Sequence, residues 1–113
     1  MVSIQEYKLG AFFIDGRQFI GSIKILNDKI RYWERENHIL DFKDLEELIK
    51  TNPEIIIVGT GAAGMLKIPE RVRQELSGKG ISLISAKTQD AVIKFNELTE
   101  QKKRVSGIFS SGS

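Results

Sequence analysis

The feature that most constrains the fold of this chain is an apolar strand that runs directly into a glycine-rich turn. Residues 55–58 read Ile-Ile-Ile-Val, and residues 59–64 follow at once as Gly-Thr-Gly-Ala-Ala-Gly. Four consecutive apolar residues leave no polar face, so we expect both faces of this strand to be buried, as in a parallel sheet covered by helices. The segment therefore predicts an α/β fold.

The glycine-rich turn matches the G-x-G-x-x-G pattern of dinucleotide-binding proteins, but its surroundings do not. In those proteins the turn opens directly into a helix that binds pyrophosphate, and an acidic residue about 20 positions later binds the ribose. Here Pro69 lies five residues after Gly64, so we expect the helix to begin at the proline and residues 61–68 to form a loop. The next strand, residues 81–84, is followed by Ser-Ala-Lys and offers no carboxylate. We therefore predict no cofactor and expect no binding of NAD, FAD or ATP.

Composition excludes several classes of function. The 113 residues fit one domain, and 17 basic against 15 acidic residues lack the basic excess of a dedicated nucleic-acid binder. The absence of cysteine and the single histidine, His38, exclude thiolate chemistry and His-rich metal clusters, so we predict no metal site. No apolar run approaches the length of a bilayer span and no signal peptide is evident, which predicts no transmembrane segment and a cytoplasmic location.

Alternating apolar residues and two turn signals predict antiparallel strands in the first third of the chain. The Asp15-Gly16 pair is typical of a tight hairpin, and Asn27-Asp28 indicates a second one before a strand at residues 30–33. We therefore predict a three-stranded meander. The alternating residues are Tyr7, Leu9, Ala11 and Phe13 in its first strand and Phe19, Gly21, Ile23 and Ile25 in its second.

Capping and stop signals predict three helices in the remainder. Asp41, with Asp44 three residues later, is typical of a helix start; Pro69 begins a second helix, and Thr88 caps a third. Together with strands at residues 55–58, 81–84 and 104–109, these helices give the order β-α-β-α-β with parallel pairing. We predict a single layered α/β domain over residues 1–113 with a mixed sheet, the N-terminal antiparallel meander preceding β-α-β-α-β. Residues 110–113 (Ser-Ser-Gly-Ser) are expected to be frayed.

In a parallel sheet the ligand crevice lies beyond the carboxyl ends of the strands, here at residues 59–68 and 85–88. Hydroxyls, lysines and free backbone N–H groups in two adjoining loops suit a small anion. Alternatively, the glycines only permit a sharp reversal and the lysines are solvated. Asn96 either contacts the ligand or ties down a neighbouring loop. The ligand-binding candidates are Gly59, Thr60, Gly61, Gly64, Lys67, Ser85, Lys87, Thr88 and Asn96.

Two further residues are candidates for contact with a protein partner or with a second copy of the chain. Trp33 lies on the less apolar face of the predicted meander, where it either covers a partner surface or lies under the loop at residues 34–39. His38 accompanies no serine or cysteine in a nucleophile motif, so an orienting or surface role is favoured. We assign no catalytic residue.

Motifs spread over nearly the whole chain resemble the uncharacterised domain family shared by the adipogenesis-associated Mth-type domain protein and a mitochondrial assembly factor of respiratory complex I. The most specific element is the strand with Gly-Thr-Gly-x-x-Gly-Met and a proline shortly after it. The matching positions are residues 25–30, Trp33, residues 38–40, residues 55–65, residues 80–81, Thr88, Ala91, residues 95–96, Leu98 and residues 104–105.

The resemblance implies a compact α/β domain with a layered mixed sheet and no established activity. The chain departs from the family pattern at Asn27-Asp28, where relatives commonly carry Pro-Gly, and at residues 108–110, where relatives end in a small-residue strand with a histidine. We therefore expect a non-enzymatic interaction or assembly module. The alternative is an enzyme that binds a small anion or small molecule through the loop at residues 59–64.

Overall fold

The computed structural model describes residues 2–34 and 37–113. These residues form a three-stranded sheet in the order β1-β2-β3 and a five-stranded sheet in the order β5-β4-β8-β6-β7. The strands are β1 (Ile4–Lys8), β2 (Ala11–Ile14), β3 (Arg17–Ile20), β4 (Ile23–Leu26), β5 (Lys29–Tyr32), β6 (Ile55–Gly59), β7 (Ser82–Ala86) and β8 (Val105–Phe109). The helices are α1 (Phe42–Ile49), α2 (Glu70–Gly78) and α3 (Thr88–Glu100).

The predicted fold class is confirmed: an antiparallel meander and a mixed sheet share one compact α/β domain. Strand β6 pairs in parallel with both β7 and β8, as the order of elements from residue 55 predicted. Its residues Ile56, Ile57 and Val58 are fully buried. Ile57 belongs to one apolar core, whereas Ile56 and Val58 belong to the other, so both faces of the strand are covered as expected.

The predicted meander contains the wrong strands, because a glycine interrupts each of its first two predicted strands. The chain turns at Gly10 and at Gly21, where φ is 90° and 117°, and the Gly21 N–H donates to the Gly10 carbonyl at 2.9 Å. The turn at Gly10 separates β1 from β2 and changes the side-chain alternation. Phe12 and Ile14 consequently face the core, whereas Leu9 is 70% exposed. The meander is therefore β1-β2-β3, and β4 and β5 belong to the larger sheet.

Both predicted hairpins are confirmed. Asp15 and Gly16 have φ values of 51° and 77°, and they connect β2 to β3. Asn27, with φ 57°, begins the turn that connects β4 to β5. Positive φ at the first turn residue suits the right-handed twist of paired strands, and Asn, Asp and Gly tolerate this conformation best.

The helices begin close to the predicted positions. Asp41 caps α1, and Asp44 returns a hydrogen bond to the Asp41 N–H, which completes a capping box. Pro69 precedes α2, which buries Val72 and Leu76. The N-cap of α3 is Lys87 rather than the predicted Thr88, since the Thr88 hydroxyl bonds to groups outside the helix.

The two faces of the five-stranded sheet support different layers. One core joins this sheet to the meander and α3, and includes Phe12, Ile57 and Phe95. The other joins the opposite face to α1 and α2, and includes Leu45 and Leu76. Within residues 2–34 and 37–113, no helix has the length and apolarity needed to cross a bilayer.

Candidate functional site

One row of strand pairings aligns the ends of the larger sheet. Tyr32 pairs with Ile23, Ile23 with Phe109, Phe109 with Gly59, and Gly59 with Ala86. These residues are the last of β5, β8, β6 and β7 and the first of β4. We call this end of the larger sheet the carboxyl edge. Everything that follows the parallel strands therefore meets along one side of the molecule.

The loops after β6 and β7 share this edge, as predicted. The Thr60 N–H donates to the Ala86 carbonyl at 2.9 Å, and the Thr88 N–H donates to the Gly61 carbonyl at 3.1 Å. We call residues 59–68 the glycine loop. Its hydrogen bonds to the start of α3 hold the two loops in contact.

Residues 110–113, which we call the 110–113 segment, lie across the carboxyl edge. The Ser110 N–H donates to the Gly59 carbonyl at 2.9 Å, and the Ser111 carbonyl accepts from the Gly10 N–H at 2.7 Å. The Ser111 N–H donates to the Ser22 hydroxyl at 2.9 Å, and Ser110 and Ser111 are buried. The prediction that this segment is frayed is wrong, because it continues β8 and bonds to the end of β6 and to the turns at Gly10 and Ser22.

The backbone N–H groups of the glycine loop are engaged within the protein. Each of those from Thr60 to Lys67 donates to a protein acceptor. The Ala62 N–H donates to the Gly112 carbonyl at 2.8 Å, and the N–H groups of Ala63 and Met65 donate to Ser113 O at 3.0 and 3.1 Å. The expectation of free N–H groups is therefore wrong, since the 110–113 segment supplies acceptors that sequence reasoning assigned to a ligand.

Gly61 occupies the tightest position in the loop. Its φ is 100°, and a Cβ atom built there would overlap the Ser113 carbonyl carbon and lie 2.6 Å from the Ser113 oxygen. Gly64 also has positive φ, 72°, but the nearest atom to a built Cβ is the Lys87 Cγ at 3.6 Å. A glycine is therefore needed at position 61 for two structural reasons: the positive φ and the close approach of the Ser113 backbone.

Three predicted ligand hydroxyls bond within the protein. Thr88 is fully buried, and its Oγ1 accepts from the Gly61 N–H at 2.8 Å and donates to the Ser110 carbonyl at 2.7 Å. Thr60 Oγ1 donates to the Ala86 carbonyl at 3.1 Å. Ser85 Oγ accepts from Arg73 Nη2 at 2.7 Å. Gly59 packs closely as well, since a Cβ there would lie 3.0 Å from Thr88 Oγ1.

The two candidate lysines are both exposed, and they differ in position. The aliphatic part of Lys87 lies beside Gly64, at the junction of the two loops. The backbone of Lys67 instead bonds to the chain before α1: its N–H donates to the His38 carbonyl and its carbonyl accepts from the Leu40 N–H, both at 2.8 Å. Of the two lysines, Lys87 therefore lies beside a glycine of the predicted anion site, Gly64, whereas the Lys67 backbone bonds to residues 38 and 40.

Asn96 ties α3 to the meander. Its Oδ1 accepts from the Ile4 N–H at 2.9 Å, and its Nδ2 donates to the Ile4 carbonyl at 2.7 Å. Both polar atoms of the amide therefore satisfy the backbone of β1. Of the two interpretations of Asn96, the one in which it ties down a neighbouring segment is confirmed, and its assignment to the ligand site is wrong.

Trp33 belongs to the core. Its side chain is 4% exposed and packs in the core that includes Leu45, while Nε1 donates to Asp44 Oδ1 at 3.2 Å. The interpretation of Trp33 as a partner-facing surface is therefore wrong. The loop at residues 34–39, under which Trp33 was alternatively expected to lie, includes Arg35 and Glu36, which are outside the described residues.

A cavity of about 420 Å³ opens between the glycine loop and the 110–113 segment. His38 is exposed and lines it together with Met65 and Ser110. The sequence pattern indicated His38 but not Ser110, because a serine in a short Ser/Gly stretch carries no signal of burial. The remaining lining residues are Asn37, Leu66, Gly112 and Ser113.

Large apolar side chains are exposed around the same edge. Leu9 adjoins Gly10, Ile20 adjoins Gly21, and the Tyr32 ring lies 3.8 Å from a Cβ built at Gly21. Met65 lines the cavity, and Ile39, next to His38, pairs with Lys67 of the glycine loop. Sequence reasoning missed this group, since Leu9 was placed on the inner face of a continuous strand. In the described residues the large exposed apolar side chains are these five and Ile93.

Comparison with known proteins identifies relatives over the whole fold. A protein family described as "Protein of unknown function (DUF498/DUF598)" matches residues 4–110. The chain is similar to the crystal structure of the conserved hypothetical protein PH1505 from Pyrococcus horikoshii, at 26% identity and a TM-score of 0.85, covering 98% of this chain and 99% of that one. It is also similar to a structure described as an outer membrane protein from Bartonella henselae, at 24% identity and a TM-score of 0.87, covering 99% and 96%.

A third similar structure is the solution structure of a Bordetella pertussis protein described as a Mth938-like domain, at 16% identity and a TM-score of 0.74, covering 99% of this chain and 87% of that one. The resemblance to an uncharacterised Mth-type domain is thereby confirmed. The link to adipogenesis and to complex I assembly stays a prediction.

Proposed function

This chain belongs to the family of unknown function DUF498/DUF598, and from that premise we propose that it is a non-enzymatic protein-interaction or assembly module. The observation that carries the proposal is the position of the exposed apolar side chains. Of the six large ones in the described residues, five lie around the carboxyl edge: Leu9, Ile20, Tyr32, Ile39 and Met65. Apolar groups gathered on one side of a domain are typical of a binding surface, whereas scattered ones are ordinary.

The exposed side chains stand on a fixed backbone. Gly10 bonds to Ser111, Gly21 bonds to Gly10, and Met65 bonds to Ser113, so the 110–113 segment connects both groups of apolar residues. A surface that is already ordered loses little conformational freedom when a partner binds. Leu9 and Ile20 are 70% and 71% exposed, and burial of a side chain of this size contributes about 1.5–3 kcal/mol.

The resemblance to a family that includes a complex I assembly factor supports the same type of function, because assembly factors act by binding. We accordingly propose a protein partner for this domain, and we keep the cytoplasmic location as a prediction. No nucleic-acid partner is proposed, since the net charge is only +2.

The proposal is tested by affinity capture from a native lysate of the source organism with quantitative mass spectrometry. The test protein carries Leu9→Lys and Ile20→Lys, which place two charges on the proposed surface at exposed positions. The matched control is Ile93→Lys, which alters a 57% exposed apolar residue on α3. We expect the double variant to lose at least tenfold of the captured partner and the control to retain it. Equal capture by all three proteins contradicts the proposal.

A second candidate is an enzyme that binds a small anion or small molecule at the loop of residues 59–64. The position of the Lys87 side chain next to Gly64 favours it. A cavity of about 420 Å³, lined by His38, Met65 and Leu66 among others, adjoins the end of this loop. This volume lies within the usual range of small-ligand sites. The candidate requires that the intact chain bind a small anion at the glycine loop, which titration with inorganic phosphate tests.

A further inference from the structure

Strand β7 ends the larger sheet, and its outer edge carries unpaired backbone groups. On the inner side, the Ser82 N–H donates to the Glu54 carbonyl at 3.0 Å, and the Ala86 carbonyl accepts from the Thr60 N–H at 2.9 Å. Residues of a strand alternate between its two sides, so Ser82, Ile84 and Ala86 bond towards β6. The N–H and C=O groups of Leu83 and Ser85 therefore point away from the sheet.

The other sheet edges in the described residues carry features that discourage pairing with another strand, and β7 carries none. Strand β5 contains Lys29 and Arg31, β1 contains a bulge between Ile4 and Glu6, and β3 begins with Arg17. Charges and bulges on edge strands prevent edge-to-edge association. Strand β7 reads Ser-Leu-Ile-Ser-Ala, with no charge and no proline, and its register with β6 is continuous.

We propose that β7 pairs antiparallel with β7 of a second copy of this chain, about a two-fold axis at Ile84. This register sets Leu83 opposite Ser85 of the second copy and Ser85 opposite its Leu83. Residues that exchange both N–H···O=C bonds form the hydrogen-bonded pairs of an antiparallel ladder. All four outward N–H groups of the two strands then donate to the four outward carbonyls, and the two five-stranded sheets become one.

The register is specific because neighbouring registers lose hydrogen bonds. A two-fold axis at Leu83 would pair Ser85 with Ile81, whose N–H already donates to the Leu76 carbonyl at 2.9 Å. An axis at Ser85 would pair Leu83 with Lys87, whose carbonyl already accepts from the N–H groups of Asp90 and Ala91. Only the axis at Ile84 uses groups that are free in each chain.

The charged residues next to β7 are also compatible with a second copy of the chain pairing at this edge. With the axis at Ile84, Lys87, which directly follows β7, lies opposite Ile81 of the second copy. No two lysines therefore face each other across the pair. Self-pairing of an uncharged strand encounters no like-charge repulsion within the ladder, which is destabilising in paired strands.

Cross-linking through a single introduced cysteine tests this geometry, because the chain contains no cysteine of its own. With the axis at Ile84, the two Ile84 residues form a non-hydrogen-bonded pair with Cα atoms about 4.5 Å apart. That separation lies within the range that a disulfide spans, about 4.4–6.8 Å. The two Ser82 residues lie four steps apart along the ladder, about 13 Å, which is too far. Ser82 is the more exposed of the two positions, so it is a stringent control.

We expect Ile84→Cys to form a disulfide-linked dimer under mild oxidation at least tenfold faster than Ser82→Cys, with both variants folded by circular dichroism.

Sedimentation equilibrium of the unmodified chain should show a concentration-dependent dimer. Ser85→Pro, which removes one outward N–H, should raise its dissociation constant at least tenfold. Equal cross-linking rates, or a monomer at every concentration up to about 1 mM, would overturn the proposal. The second result would assign the edge to a strand of a different protein or to none. The proposed function concerns the carboxyl edge and is unaffected by either result.

Discussion

The glycine loop and the outer edge of β7 belong to two neighbouring strands, and their backbone polar groups differ: among the residues that the structure describes, those of the loop are bonded within the protein, and those of the edge are not. The glycine loop has the sequence of a ligand-binding turn, yet its N–H groups from Thr60 to Lys67 all donate to protein acceptors. Strand β7 has an ordinary sequence, yet the outward groups of Leu83 and Ser85 have no acceptor or donor in the described residues. A glycine motif in this chain therefore indicates close packing, and the unpaired donors lie on a strand without a motif.

The difference arises from the 110–113 segment. Its carbonyl groups at Gly112 and Ser113 accept the N–H groups that a bound anion would otherwise accept. Nothing comparable covers β7 in the described part of the chain, because α2 and α3 pack on its faces and leave its edge open. Changes that separate the glycine loop from the 110–113 segment should therefore have large effects on stability, and similar changes a few residues away should not.

The largest expected effect is that of Gly61→Ala. An alanine there adopts an unfavourable positive φ, which costs about 1–2 kcal/mol, and its Cβ would overlap the backbone of Ser113. Overpacking against a fixed backbone adds about 1–3 kcal/mol, so we expect a loss of about 3 kcal/mol in the free energy of unfolding. Denaturant unfolding measures it.

Gly64→Ala is the matched control. It imposes the same type of backbone strain, but a built Cβ has no neighbour closer than 3.6 Å. We expect a loss of only about 1 kcal/mol. Equal losses in the two variants would mean that the approach of Ser113 does not matter, and that the glycine loop is not held by the 110–113 segment.

Much of the fold was predictable because its signals are local. A few adjacent residues are enough to mark a helix start or a turn. Examples are Asp41 with Asp44 at the start of α1, Pro69 before α2, and the turn at Asp15-Gly16. The failures also have local causes. Gly10 and Gly21 interrupt strands that otherwise alternate correctly, and a single glycine in an alternating run does not reveal whether it will be extended or turned.

The second prediction concerns Thr88, whose hydroxyl joins the two sides of this contact. Thr88→Val keeps the shape of the side chain, but leaves the Gly61 N–H without its acceptor and the Ser110 carbonyl without this donor. An unsatisfied buried polar group costs about 1–3 kcal/mol, so we expect a loss of about 2 kcal/mol in the free energy of unfolding. Differential scanning calorimetry measures the change.

Thr99→Val on the same helix is the control. Its hydroxyl donates to the Asn96 carbonyl three residues earlier and is only partly buried. Because water can replace this bond, we expect a loss below about 0.5 kcal/mol. A loss at Thr88 no larger than that at Thr99 would contradict the bridging role of the Thr88 hydroxyl.

The candidate site was less predictable than the fold, for a reason that Thr88, Asn96 and Trp33 share. Each was a candidate site residue in the sequence, and each bonds instead to another part of the chain: Ser110, Ile4 and Asp44 respectively. A residue pattern shows that a polar group needs a partner. It does not show whether the partner is a ligand or a segment 92 residues away, as for Asn96 and Ile4, because that depends on how the layers pack.

The smallest expected effect, and the most direct test of the comparison, is the response of the glycine loop to inorganic phosphate. In the intact chain the N–H groups of Ala62, Ala63 and Met65 are occupied by Gly112 and Ser113. We therefore expect phosphate to produce no change in their NMR chemical shifts. A chain that ends at Ser111 loses these acceptors, which makes the three N–H groups available to an anion, and Lys87 lies next to Gly64 in the same loop. We expect weak binding there, which falls as added salt shortens the Debye length to about 8 Å at physiological strength, and which Lys87→Ala weakens further. Shift changes at the loop in the intact chain would instead favour the small-anion enzyme. No change in the shortened chain would mean that the loop lacks the geometry to hold an anion even when its donors are free.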